Sequence, residues 1–184
     1  MSNYNISTRY ASALMQLAQE KDIFLQVATD METVFNTVRD SREFQLMLTS
    51  PVIKTTDKEQ VILKVFENRI SHDSLNFLQF IVMKNREDLL FNIVRQFLAL
   101  RDERLGIVNA LVTSPTEFTG AQMDKLTKKL EEYTRKKVRL SAQVNRNLLG
   151  GFIVKIEDTV IDASLDHQLE LLKEEFMKGD SSLN

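Results

Sequence analysis

Apolar residues recur every three to four positions through the first 105 residues, and then the period changes. In "STRYASALMQLAQEK", Tyr10, Leu14 and Leu17 fall at i, i+4 and i+7, the spacing of one helix face, with Ser7 as a candidate N-cap. Ala11, Met15 and Ala18 form a second apolar line beside the first. "DIFLQVATDMETVFNTVRD" carries one stripe of Phe24, Val27, Met31, Val34 and Val38. "SREFQLMLTSP" reads as a short helix stopped near Pro51. "TTDKEQVILKVFENRI" opens with the Thr56–Glu59 spacing of a capping box. "SHDSLNFLQFIVMKNRE" is apolar almost all round, and "EDLLFNIVRQFLALRDERL" returns to a stripe at Leu90, Ile93, Val94 and Phe97. The first glycine of the chain is Gly106, and the prolines are Pro51 and Pro115 alone. This scarcity of breakers predicts helix after helix. Six helices with short connections predict an antiparallel bundle over residues 1–105.

From Gly106 the pattern becomes mixed. "GIVNALVTSP" is β-branched and bounded by Gly and Pro, which predicts a strand. "TEFTGAQMDKLTKKLEEYTRK" predicts a helix with Met123, Leu126, Leu130 and Tyr133 on one face. In "KVRLSAQVN", Val138, Leu140, Ala142 and Val144 alternate to one side. "GGFIVKIED" and "TVIDAS" predict two strands joined by a turn at Glu157-Asp158. "SLDHQLELLKEEFM" closes as a helix with Leu165, Leu169, Leu172 and Phe176 in line. The order is β-α-β-β-β-α. The expected fold is therefore α+β in two domains: a six-helix bundle over 1–105, a small sheet-and-helix domain over 106–178, and a frayed tail at 179–184.

The totals narrow the chemistry. Of 184 residues, 43% are hydrophobic, enough for packed cores rather than disorder. Net charge is −2, and it is spread evenly: 13 basic against 14 acidic residues up to Leu105, and 11 against 12 beyond it. Neither part has the basic excess that duplex nucleic acid demands. With no cysteine, disulfides and thiolate metal sites are excluded, and two distant histidines, His72 and His167, make no His-rich site. No apolar run approaches the roughly 20 residues that span a bilayer. The opening "MSNYNISTRYAS" lacks the apolar core of a signal peptide. A soluble protein on the cytosolic side is expected, without direct membrane insertion.

Gly150 and Gly151 suggest a phosphate loop, but strand residues follow them and no Lys-Ser or Lys-Thr does, so no cofactor is expected there. Asp162, Ser164 and His167 together evoke a catalytic triad. They fall at the start of a predicted helix without the glycines of a nucleophile elbow, so capping is the expected role. The basic run Lys125, Lys128, Lys129, Arg135, Lys136, Lys137 and Arg139 is a solvated face, a docking patch for an acidic helix or, a distant third, a weak RNA site. His72, beside Asp73 at a helix start, reads as a surface or capping residue. Two helices, the first and the fifth, carry more apolar surface than one buried stripe requires. The surplus is either core or a groove that receives a partner helix.

"LLGGFIVKIEDTVIDASLDHQLELL" resembles the C-terminal signature of the δ-subunit family of bacterial F-type ATP synthases, whose mitochondrial counterpart is the oligomycin-sensitivity-conferring protein. The matching residues are Gly150, Gly151, Val160, Ile161, Asp162, Ser164 and Leu169, with Ala163 where glycine is usual. "RYASALMQLAQEKD" is similar to the family's first helix, and "NRED" with the residues after it to its last bundle helix and first strand. The resemblance implies a non-catalytic stator subunit that joins the F1 head to the peripheral stalk. It implies two partners: the N-terminal helix of an F1 α subunit, in a groove between the first and fifth helices, and the C-terminal ends of the stalk b subunits, on the second domain. It further implies a peripheral location on the cytoplasmic side of the bacterial inner membrane, through the complex. The groove residues expected on this basis are Tyr10, Ala13, Leu14, Leu17, Leu78, Ile81 and Val82. A generic helix-binding adaptor of another complex is the alternative.

Overall fold

The computed structural model describes residues 3–179. They form a mixed α+β chain in two compact units, Met1–Arg104 and Leu105–Asn184. The expected tail at 180–184 lies outside the described residues, and residue 179 is the last of a helix.

The first unit holds α1 (Asn3–Glu20), α2 (Phe24–Asp40), α3 (Arg42–Thr49), α4 (Thr55–Phe66), α5 (His72–Met83), a 3-10 turn at Glu87–Leu89 and α6 (Leu90–Arg104). The turn residues Asp22 and Asn85 take positive φ, the left-handed conformation that short polar side chains tolerate best. α1 and α2 both pack on α6. Their shared core includes Leu14, Met31, Val34, Phe66, Leu78, Ile81, Ile93 and Phe97, all essentially inaccessible. Two caps differ from expectation. α1 begins at Asn3, so Ser7 is an interior residue, fully buried, and not an N-cap. α4 is preceded by Lys54 with no side-chain cap, so Thr56 and Glu59 form no capping box.

Polar groups also tie the unit together. Lys58 Nζ reaches Glu87 Oε1 at 2.8 Å and the Leu48 carbonyl at 2.9 Å, joining α3, α4 and the 3-10 turn through a buried ion pair. Asp30 of α2, 2% exposed, faces the start of α5. Its Oδ2 accepts from Ser71 N (3.0 Å), Ser71 Oγ (2.5 Å) and Ser74 Oγ (2.7 Å), and its Oδ1 accepts from Gln26 Nε2 (3.1 Å). A carboxylate at a helix N-terminus also meets the positive end of the helix dipole.

The second unit holds β1 (Ile107–Ser114), α7 (Gly120–Thr134), β2 (Lys137–Val144), β3 (Gly151–Ile156), β4 (Thr159–Ser164) and α8 (Leu165–Gly179). The sheet order is β2-β1-β3-β4. β1 and β2 are parallel, from Ile107↔Lys137 to Ser114↔Val144, so α7 is the crossover between them. β3 lies antiparallel to both β1 and β4. α7 starts later than the sequence suggests, because Thr119 and Gln122 form a reciprocal capping box. The core is Val108, Ala110, Val112, Leu130, Val138, Val154 and Ile156. The alternation of β2 is buried only near its start: Val138 is covered, whereas Val144 is exposed. Tyr133 likewise points away from the core.

Candidate functional site

The surplus apolar residues of α1 and α5 divide into two sets. On α1, Ala11, Leu14, Met15 and Ala18 enter the core, while Tyr10, Ala13 and Leu17 remain accessible to varying degrees. On α5, Leu75, Leu78, Ile81 and Val82 are buried. Residues 73, 77 and 80 repeat at i, i+4 and i+7 on an adjacent face, because each step along a helix turns about 100°. These two free faces line an apolar cleft of about 360 Å³ formed by Tyr10, Ala13, Leu14, Leu17, Lys21, Asp73, Asn76, Phe77 and Phe80. Tyr10, Ala13, Leu14 and Leu17 thus line the cleft from α1. From α5, Leu78, Ile81 and Val82 do not; the helical turn sends them inward and presents Phe77 and Phe80 in their place.

The cleft has a direction. α1 and α5 run antiparallel along it, since Tyr10 meets Phe80 (ring centroids 6.2 Å apart) and Lys21 meets Asp73. Lys21 Nζ lies 2.5 Å from Asp73 Oδ1 and closes one end. At the other end, Lys84 Nζ sits 5.3 Å above the Phe80 ring. Ala13, exposed next to the buried Leu14, contributes the least bulk of the lining residues. The polar ends, and the anchoring of α5 by Asp30, were missed by apolar periodicity. Asp73, in the first turn two residues after the Ser71 N-cap, was a sequence signal for one of these ends.

In the second unit the glycine pair is a place of close approach. Gly151 has φ +76°, and a Cβ there would lie 2.2 Å from the Ala163 carbonyl oxygen and 2.9 Å from Ser164 Cα. A Cβ on Gly150 would lie 2.5 Å from Leu165 Cδ1, and the Gly150 carbonyl accepts from Leu165 N at 3.0 Å. The pair lets β3 begin against the β4–α8 junction. At that junction Ser164 N donates to Asp162 Oδ1 (2.9 Å) and His167 N donates to Ser164 Oγ (3.3 Å). Hydrogen bonds from the Ser164 hydroxyl and then from its backbone N–H hold the Asp162 carboxyl below its ordinary range, helped by the nearby His167. Ser164, 2% exposed, spends its oxygen on the helix backbone rather than on a nucleophilic role. Of the other signature residues, Ile161 packs toward the core, while Val160 and Leu169 are exposed. A second cleft, about 400 Å³, lies among Phe118, Leu126 and Phe152 with Lys125 and Lys129 beside it. Among the described residues, no group of three or more His, Cys, Asp or Glu side chains is placed to hold a metal ion. No described helix is long and apolar enough to cross a membrane.

Comparison with known proteins agrees with this architecture. ATP synthase subunit delta of Chlorobium phaeovibrioides is 39% identical over 177 residues, covering 96% of this chain and 98% of that protein. The subunit delta of Chlorobaculum tepidum is 36% identical over 173 residues, covering 94% and 96%. The fold also matches a chain in the Toxoplasma gondii mitochondrial ATP synthase hexamer, with a TM-score of 0.73, 22% identity and coverage of 93% and 97%. The family model described as ATP synthase delta (OSCP) subunit matches residues 6–176. With sequence, fold and signature in agreement over nearly its whole length, the chain belongs to the ATP synthase delta (OSCP) subunit family.

Proposed function

We propose that this chain is the stator subunit that links the F1 head of an ATP synthase to its peripheral stalk, supporting proton-driven ATP synthesis by holding the head still. The family is that of a structural ATP synthase subunit, not a catalytic one. In this reading residues 1–105 act as a six-helix bundle whose α1–α5 cleft receives the N-terminal helix of an F1 α subunit. Residues 106–178 hold the C-terminal ends of the stalk b subunits. The chain is then peripheral to the membrane, on the cytoplasmic side, through the complex.

The observation that carries the first assignment is the cleft itself. It is mainly apolar, with Asn76 beside Phe77 on the α5 wall and the Lys21–Asp73 pair at one end. An amphipathic helix seated there buries its apolar face against Tyr10, Leu17, Phe77 and Phe80, at about 25 cal/mol per Å² removed from water. Tethering at two sites on one chain adds effective concentration without new contacts. A stator needs such holding rather than turnover.

The test is calorimetric titration of the full chain with a synthetic peptide of the α-subunit N-terminus from the same ATP synthase. Wild type should bind, and Ala13→Phe, which adds bulk among the lining residues, should weaken binding at least tenfold with unchanged helicity. Equal binding by Ala13→Phe places the peptide elsewhere. Absence of binding by wild type, with capture of a helix from another complex, favours a generic adaptor instead.

A further inference from the structure

One polar side chain interrupts the α1–α5 cleft away from its ends. Asp73, Asn76, Phe77 and Phe80 follow one another at i, i+3, i+4 and i+7 and make the α5 wall. The Lys21–Asp73 pair marks one end of that wall, and the Tyr10–Phe80 ring contact lies toward the other. Asn76 sits between them, with Leu14 and Leu17 on the α1 wall. It is exposed, and its amide makes no hydrogen bond among the described residues. Lys21 and Asp73, by contrast, already satisfy each other.

An asparagine amide offers two N–H donors and a carbonyl acceptor. In the free chain water occupies them. A helix seated in the cleft removes that water over the same stretch in which Leu17, Phe77 and Phe80 are covered. An amide buried without a partner then opposes binding by its lost hydration, whereas an apolar side chain at the same place would favour it. The cleft is therefore not indifferent to which amphipathic helix it takes. A helix apolar along its whole docking face leaves Asn76 unpaired in every register. A helix with one amide or hydroxyl inside that face pairs with Asn76 in one register only, because sliding by a turn moves the group about 5.4 Å, beyond hydrogen-bond reach. A single asparagine within an apolar seam fixes the register of coiled coils in the same way.

We infer that Asn76 is the specificity-determining residue of the cleft, selecting and setting the register of an amphipathic helix that carries one amide or hydroxyl side chain inside its apolar face. This rests on the helix-binding role proposed above for the α1–α5 cleft.

The test is a double-mutant cycle. The full chain, as wild type and as Asn76→Leu, is titrated calorimetrically with the α-subunit N-terminal peptide of the same ATP synthase. Peptide variants replace each amide or hydroxyl residue of its apolar face by leucine in turn. Wild type should lose affinity by about tenfold or more for one of these variants. Asn76→Leu should lose about as much for the parent peptide and regain most of it with that same variant. The other replacements should affect both chains alike. Because Asn76 has no partner in the free chain, its replacement should leave the melting temperature unchanged, whereas a residue that merely supports the fold would lower it. Additive losses, undiminished binding of the parent peptide by Asn76→Leu, or tight binding by wild type of a peptide with no amide or hydroxyl in its apolar face would overturn the inference and leave the helix-binding role standing. Absence of any peptide binding by wild type would defeat that role, and the inference with it.

Discussion

Replacing glycines one at a time separates two costs that are usually confounded. Gly120, the first residue of α7, has ordinary φ and open space around it. Gly106 has φ +62° but nothing within 4 Å of where a Cβ would stand. Gly151 has both φ +76° and a backbone oxygen 2.2 Å from that point. Gly120→Ala should therefore be neutral, or stabilise by up to about 1 kcal/mol through reduced unfolded-state entropy. Gly106→Ala should cost about 1–2 kcal/mol, the price of a left-handed L-residue. Gly151→Ala adds to this the forced separation of β3 from the end of β4, an overpacking cost of about 1–3 kcal/mol more. Its total is thus about 2–5 kcal/mol. Urea unfolding monitored by amide exchange in β3 and β4 reads the loss where it arises. If Gly151→Ala loses no more than Gly106→Ala, the close approach of Gly151 to Ala163 does not govern the glycine pair, and the reasoning fails.

Other perturbations probe the polar interior. Lys58→Met strands the Glu87 carboxylate in a buried site and should cost about 3–5 kcal/mol in urea unfolding, much of it recovered in Lys58→Met/Glu87→Leu. Ser7→Ala removes a buried hydroxyl that has no hydrogen-bond partner among the described residues, so thermal unfolding should show equal or higher stability, by up to about 1 kcal/mol. The depressed Asp162 carboxyl stabilises the fold fully above its unfolded pKa of about 3.9, and this contribution disappears as pH falls through the lower folded value. Melting temperatures between pH 6 and pH 3 should consequently fall less steeply for Asp162→Asn than for wild type.

The helices and strands were legible because apolar periodicity reports which face is buried. Phe24 to Val38 on α2 and Leu90 to Phe97 on α6 show this well. The surplus on α1 and α5 coincides with a cleft between these two helices. The side of α5 was harder to read. On a helix apolar almost all round, Leu78 and Phe77 are equivalent in composition, and only the position of α5 against the rest of its unit separates them. Helix starts were obscured for a related reason. Ser7 and Thr56 have the residue types of caps, yet Ser7 lies inside α1 and α4 carries no side-chain cap. The Asp30 hub joins residues 41 and 44 apart, a distance over which no local pattern carries information.

That hub has a mechanical meaning. Ser71 and Ser74 sit at the very start of α5, and both are held by one carboxylate projecting from α2. A pull along the axis of α5 is resisted there by charge-assisted hydrogen bonds, which lose strength steeply when stretched or misaligned. Sideways motion of α5 meets packed hydrocarbon together with the Lys21–Asp73 and Gln79–Glu59 contacts. The start of this cleft wall is thus pinned along its length by a carboxylate that lies outside the cleft itself.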